Sequence, residues 1–415
     1  MESTKRPLKI IFISFIGDLK HNTKGFVKKD LDKVDALSKI EGVECLGVTF
    51  SDEIEQDYYY LPNYIVKKLP KLKPRKYFYS FDVERSEVNN LDKFLSEQEF
   101  DVALFRYNIA SYSLHKLVKK YKNKIIFEHN TFEYTEHAGQ INLRRANLKF
   151  SLKPGYFIYY FEGKLWPLFC EWYFGKKVRQ NALAATAVTN EIAVYQSKLV
   201  PGYKNRVITN GIKYNESLLI KPVKYDGTEL RLFMLLGTGA NWHGLDRLMN
   251  GLKEYNGPVK LRVDIIGYTY QGDIEYAEKN GLTDKIHFLP PMSGNELNTK
   301  LQEYHLSIGT LAVHRKDLKE ATPLKVRESL MRGFPNVIAY MDTDFIEKSE
   351  INKFILQLPA DETPINFKTI VEFANSVLSV PNYPEVISRL ARPKIEYSVK
   401  AQQTVDYIKE LLKLK

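Results

Sequence analysis

Two cysteines in 415 residues, Cys45 and Cys170, lie far apart and match no metal or disulfide pattern. That excludes a disulfide-stapled scaffold and fits a reduced cytoplasm. No apolar run approaches the ~20 residues needed to span a bilayer. The run Ile10–Ile16 follows Lys5, Arg6 and Lys9, but no small-residue cleavage site comes after it, so it reads as a buried first strand rather than a leader. Fixed-period repeats, low-complexity runs, zinc spacings and a Gly-x-Ser-x-Gly elbow are all missing. Acid is short relative to base: the net charge is +11, and residues 1–200 hold 32 Lys+Arg against 24 Asp+Glu, while the remainder holds 29 against 26. The surplus therefore belongs to the first half and points to an anionic partner there: membrane lipid, a phosphate-bearing acceptor or nucleic acid.

What is present is a globular composition, 44% apolar and 27% charged, in a chain too long for one ordinary core. Two domains are expected. Leu8–Phe15 reads as a strand, 17–25 as a polar loop, Phe26–Ile40 as an amphipathic helix and Val43–Phe50 as a second strand. This βαβ unit would hold a ligand at the carboxyl end of its first strand, with Gly25 allowing close backbone approach. A plain glycine turn is the competing reading. Later strands are expected at Phe100–Phe105, Lys124–Phe127 and Ala184–Thr189, and the second of these runs into Glu128-His129-Asn130-Thr131.

Two stretches mix cations with aromatics. Leu61–Phe81 carries Lys67, Lys68, Lys71, Lys73, Arg75 and Lys76 with Tyr64, Tyr77, Phe78 and Tyr79 and no acid, and reads as a loop. Gln140–Arg179 carries eight cations against Glu162 and Glu171, around Tyr156–Phe161, Leu165–Phe169 and Trp172–Phe174. Both suit an anionic membrane surface or a phosphorylated lipid. Solvated loops and ordinary packed helices are the alternatives.

The second half opens a new alternation of strands and helices: Arg231–Leu236, the loop Gly237-Thr-Gly-Ala-Asn-Trp-His243-Gly-Leu-Asp-Arg247, helix Leu248–Tyr255, strand Leu261–Gly267, and further strands near Lys285, Leu306 and Asn336. A glycine loop between strand and helix suits phosphate. Asp342-Thr-Asp344 has metal-pair spacing but follows the wrong strand, so no metal is expected.

The most informative stretch is Glu320-Ala-Thr322-Pro323-Leu324-Lys325-Val-Arg-Glu328. Pro323 suits the first turn of a helix, and Gly333 and Pro335 suit its stop. Glu320 would take sugar hydroxyls, the first-turn amides and Lys325 would take phosphates, and Glu328 ribose hydroxyls. A surface helix with scattered charges is the alternative.

Glu-x7-Glu before Gly-x-Pro resembles the donor-site signature of retaining family 4 glycosyltransferases of the GT-B fold. The form Thr-Pro-Leu-Lys-Val-Arg-Glu-Ser-Leu-Met-Arg-Gly-Phe-Pro is similar to a bacterial polysaccharide-building branch. The resemblance implies two doubly wound Rossmann-like domains facing across a cleft: an acceptor domain over 1–215, a donor domain over 216–395, and a final helix, 396–415, returning to the first. It implies that Gly25 and Gly237 face the diphosphate, that Gly267 lies near the base, and that His129 lies beside the donor sugar. Thr238 and His243 stand where many members have an arginine and a lysine, and Arg247 would supply the charge. Glu320, Lys325 and His129 are thus the expected catalytic residues. Gly25, Gly237, His243, Arg247, Gly267, Thr322, Pro323, Leu324 and Glu328 are the expected donor contacts. No cofactor or metal is implied. The expected activity is metal-independent hexosyl transfer from a nucleotide-diphosphate sugar to a lipid-linked or surface-polysaccharide glycan, such as capsule. The expected location is cytoplasmic, peripheral on the inner membrane face, with no nucleic-acid partner. A non-catalytic basic binding protein and a GT-B nucleotide-sugar epimerase or hydrolase are the alternatives.

Overall fold

The computed structural model describes residues 6–15, 25–73, 79–138, 161, 165–221, 223–237 and 239–414. The chain divides into two units, residues 1–208 with 400–415, and residues 209–399.

Alternating apolar residues build the first sheet. In order come β1 (Leu8–Ile13), α1 (Gly25–Ser38), β2 (Val43–Ser51), β3 (Tyr58–Leu61), β4 (Tyr64–Lys68), α2 (Tyr79–Ser96), β5 (Val102–Arg106), α3 (Tyr112–Lys120), β6 (Ile125–His129), α4 (Trp166–Asn181), β7 (Ala184–Ala187), α5 (Asn190–Leu199) and β8 (Asn205–Val207). The strand order is β3-β4-β2-β1-β5-β6-β7-β8, parallel except for the β3–β4 pair. Ile11 and Ile13 point to one face, where they meet Leu91 and Phe94 of α2, Leu117 of α3 and Val178 of α4. Ile10 and Phe12 point to the other, where they meet Val34 and Leu37 of α1 and Val405 and Ile408 of the C-terminal helix Tyr397–Leu412. Both faces are covered, as an all-parallel core requires.

Residues 61–81 are not one loop, contrary to the sequence reading. Tyr64–Lys68 is a strand of the sheet, with the Tyr64 ring fully buried and its hydroxyl 2.8 Å from Ser14 Oγ. Lys67 is paired with Asp57, and α2 has begun by Tyr79. The lysines hide an apolar Tyr-Ile-Val core. Residues 74–78 lie outside the described residues, as do the loop expected at 17–24 and residues 139–160 and 162–164 of the basic aromatic stretch.

The second unit contains β9 (Glu229–Leu236), α6 (Leu245–Glu254), β10 (Lys260–Gly267), α7 (Gln271–Lys279), β11 (Ile286–Leu289), α8 (Gly294–Leu301), β12 (Leu306–Ile308), β13 (Glu320–Ala321), α9 (Leu324–Met331), β14 (Asn336–Ile338), β15 (Met341–Asp342), β16 (Ile355–Gln357), α10 (Phe367–Val377) and α11 (Tyr383–Ile395). Its main sheet runs β11-β10-β9-β12-β14-β16, and β13 pairs with β15 apart from it. The chain proceeds from β9 outward through β10 and β11, then crosses to β12 on the other side of β9. That reversal opens a crevice at the carboxyl ends of β9 and β12, the usual ligand position in such sheets. Among the described residues no helix is long and apolar enough to cross a membrane.

Candidate functional site

The crevice of the second unit gathers the loop after β9, the turn after β10 and the start of α9. Gly267 ends β10 at φ +138°, and a Cβ there would lie 1.8 Å from the Leu236 carbonyl oxygen, so only glycine brings the two strand ends this close. After β9, Gly237 passes Lys325 Nζ, which donates to the Leu235 carbonyl at 2.7 Å. Thr238 lies outside the described residues. A 3-10 turn, Asn241–His243, follows, and the Leu311 and Ala312 amides donate to the His243 and Trp242 carbonyls, each at 3.0 Å. The loop after β12 is thereby fastened to the glycine loop.

Helix α9 starts one residue later than the sequence suggests: Pro323 is its cap, with extended backbone, and Leu324 its first residue. The Asn210 side chain donates to the Thr322 carbonyl at 2.8 Å and to Thr322 Oγ1 at 3.1 Å, which fixes the approach to the helix. The stop is a Schellman motif. Gly333, at φ +86°, donates to the Leu330 carbonyl and Phe334 to the Ser329 carbonyl, each at 3.0 Å.

Burial pushes the Lys325 ammonium down to about 8, with Glu328 one turn on opposing the shift. Burial, with the charges of Lys325 and Lys316, pushes His243 down to about 3, so the imidazole is neutral near pH 7. His243 therefore carries no charge near pH 7, and Lys325 is a cation beside it. Glu320 is buried and accepts from Thr343 Oγ1 at 3.1 Å.

Arg247 is not a surface residue. Its guanidinium is buried and donates to the carbonyls of Leu311, Thr363 (2.8 Å) and Pro359 (3.1 Å). It braces the loops after β12 and β16.

Several residues here gave no functional signal in the sequence. Arg327, fully buried, grips both Asp342 and Asp344, at 2.7 Å from Asp342 Oδ1 and 2.7 Å from Asp344 Oδ2. Thr209 donates to Asp344 Oδ1 at 2.7 Å. The Asp-Thr-Asp triplet therefore holds Arg327 of α9 with its two carboxylates and Glu320 with its threonine. Asp342-Thr-Asp344 was visible as a spacing, but nothing in the sequence named its partner.

In the first unit, Gly25 is the first residue of α1. His129 ends β6 and is fully buried. Its Nδ1 lies 2.6 Å from Glu133 Oε1. Glu133 also accepts from Gln196 at 3.1 Å, Arg179 donates to Gln196 at 2.7 Å and to Glu171 at 2.7 Å, and the Tyr107 hydroxyl donates to Glu171 at 2.7 Å. This buried network ties β6 to α4 and α5. On the opposite face, α1 buries Lys29, Asp30 and Lys33 against the strand ends. Lys29 donates to Asn130 at 2.8 Å and Lys33 pairs with Glu128 at 2.6 Å. Burial lowers Lys29 to about 8 and raises Asp30 to about 6.

No family model matches the sequence, and no curated protein matches it. Solved structures do. Sucrose-phosphate synthase from Thermosynechococcus elongatus superposes with a TM-score of 0.65 at 11% identity, over 98% of this chain and 99% of that one. The lipopolysaccharide outer core galactosyltransferase WaaB gives 0.59 at 15% identity, over 97% and 100%. Anabaena HepE, solved with UDP and glucose, gives 0.58 at 14% identity, over 97% and 100%. At these identities the likeness is one of fold, and it spans the whole of each chain: this protein has the GT-B fold, α/β in two parallel-sheet domains.

Proposed function

We propose that the protein is a glycosyltransferase that takes a sugar from a nucleotide-diphosphate donor and passes it to a glycan with retention at the anomeric carbon. The observation that carries this reading is Lys325, a half-buried ammonium at the switch point of the second unit, between the glycine loop and the first turn of a helix. Such a cation, beside backbone amides, suits a leaving diphosphate.

In this reading the donor phosphates meet Lys325 and the amides of Leu324 and Lys325. Glu328 takes the ribose hydroxyls, and Glu320, held by Thr343, takes the sugar hydroxyls. The bond from the anomeric carbon to the diphosphate oxygen breaks as the acceptor oxygen attacks, and the acceptor proton passes to a phosphate oxygen. Charge on the leaving group is met by the lysine, so the chemistry asks for no metal. UDP is the first nucleotide to test, because HepE was solved with UDP and with UDP-glucose. The acceptor proposed is a lipid-linked or surface-polysaccharide glycan, and a hexose is the proposed transferred sugar.

Incubation of the purified protein with radiolabelled UDP-, GDP- and ADP-hexoses, with and without a bacterial membrane extract, tests the reading. A labelled glycan whose new linkage keeps the donor's anomeric configuration by NMR supports it. Epimerised or hydrolysed donor without transfer indicates the epimerase or hydrolase alternative, and intact donor throughout indicates a binding protein.

A further inference from the structure

Helix α4 is amphipathic in an unusual sense. Its inward side carries Cys170, Glu171, Gly175, Val178 and Arg179, all buried. Its outward stripe, at positions three and four apart, reads Phe169, Trp172, Tyr173, Lys176, Lys177. Trp172 is 72% exposed, Phe169 44% and Tyr173 46%, a contiguous exposed aromatic patch of the kind that marks an interaction surface. The rings form a ladder: Trp166 to Phe169 at 5.4 Å, Phe169 stacked on Tyr173 at 6.0 Å, and Tyr173 edge-on to Phe174 at 4.8 Å. Phe174 carries it across to α3, where it meets Tyr112, 52% exposed, at 5.8 Å.

Among the described residues of α3 and α4, the exposed charge has one sign. Lys177 sits 3.8 Å over the Tyr173 ring and Lys116 sits 4.5 Å over the Tyr112 ring. Lys119 and Lys176 are exposed beside them. Helix α3 has no acidic residue, and the one acid of α4, Glu171, is turned inward to Tyr107 and Arg179. Of the acids of α2, Asp92 is paired with Lys120 at the far end of α3, and Glu84 accepts from Ser111 at its start.

We infer that the outer face of α3 and α4 is a docking surface for an anionic lipid bilayer. Rings of this kind settle at the level of lipid headgroups, because their bodies are apolar and their edges polar. Lysines beside them reach phosphate headgroups while their stems stay on the rings. A folded-protein partner of ordinary kind would leave carboxylates somewhere on the rim, and none is exposed on either helix. Attachment of this type is reversible and weakens in salt. The surface uses none of residues 61–81, which the sequence also offered, and it stands independently of the sugar-transfer reading.

The test is sedimentation of the full chain with phosphatidylcholine vesicles, with and without phosphatidylglycerol, at low and high salt. The expected result is binding to the phosphatidylglycerol vesicles alone, reduced about tenfold by high salt. Lys116→Glu with Lys177→Glu removes that preference. Trp172→Phe keeps the fold and the charge, and its readout is quenching of tryptophan fluorescence by brominated lipid, which falls in the variant if Trp172 enters the interface. Failure of the wild type to bind at low salt overturns the inference, as does equal binding to uncharged vesicles. Quenching unchanged in Trp172→Phe also overturns it, because the contact then lies elsewhere. A dimer in sedimentation velocity that Trp172→Ser dissociates, without vesicle binding, assigns the face to a second copy and overturns it as well.

Discussion

Nζ of Lys325 donates to the carbonyl oxygen of Leu235 at 2.7 Å, so the first turn of α9 reaches back to the carboxyl end of β9. The ammonium is half-buried, and burial lowers it to about 8. Without a bound anion it is therefore protonated below about pH 8 and loses its proton above. The unfolded chain keeps that proton to higher pH, so this group's contribution to stability rises with pH between about 8 and 10.4. A bound diphosphate reverses the shift, since an anion favours the charged lysine. UDP affinity is expected to fall as pH rises through 8, and binding near pH 8 is expected to take up a proton. Titration calorimetry of UDP in buffers of different ionisation enthalpy measures both, and the effect disappears in Lys325→Met.

Arg327 is expected to position the site rather than touch a substrate. Arg327→Met leaves Asp342 and Asp344 buried without their cation, and should destabilise the second unit by about 3–5 kcal/mol. Thr343→Val removes the hydroxyl donated to Glu320 and should leave the fold intact, costing about 0.5–1.5 kcal/mol of transition-state stabilisation. Urea titration separates the two. Steady-state kinetics then shows whether Thr343→Val lowers kcat or raises KM.

Ile408 lies in the core of the first unit, on the C-terminal helix, fully buried beside Val405. Ile408→Ala should cost about 2–5 kcal/mol. The loss should appear in the unfolding transition of the first unit, followed by the Trp166 and Trp172 fluorescence of α4, while UDP affinity at the second unit is kept.

A metal-free mechanism predicts that EDTA leaves transfer unchanged. Loss of activity in EDTA with recovery on added Mg²⁺ would assign the leaving-group charge to a cation that the residues alone do not supply.

How far the sequence could be read follows from where the partners lie. Glu320, Lys325 and Glu328 sit within nine residues, so their relation to the start of α9 was visible as spacing, and Gly333 marked the helix stop. Strand and helix alternation gave both doubly wound sheets for the same reason, because the periods are local. Arg247 went the other way. It looked like a loose cation after a glycine loop, but the carbonyls that hold it, on Leu311, Pro359 and Thr363, come from distant loops with no pattern of their own. Tyr64–Lys68 was hidden because lysines at a strand's end outweigh three apolar residues in any composition window. His129 was legible as a residue at the end of a strand, but its burial depends on Glu133, Tyr107 and Tyr203 closing around it.

The central claim is that residues 320–328 hold the sugar donor, and transfer by variants of that stretch tests it most directly. Wild type, Lys325→Ala and Glu328→Ala are each incubated with radiolabelled UDP-hexose and membrane extract, after circular dichroism has shown all three folded. The account predicts label in glycan for the wild type. It predicts a loss of about tenfold to a hundredfold or more in each variant, the worth of one charged hydrogen bond to donor or transition state. Wild-type rates of transfer in the two variants would contradict it.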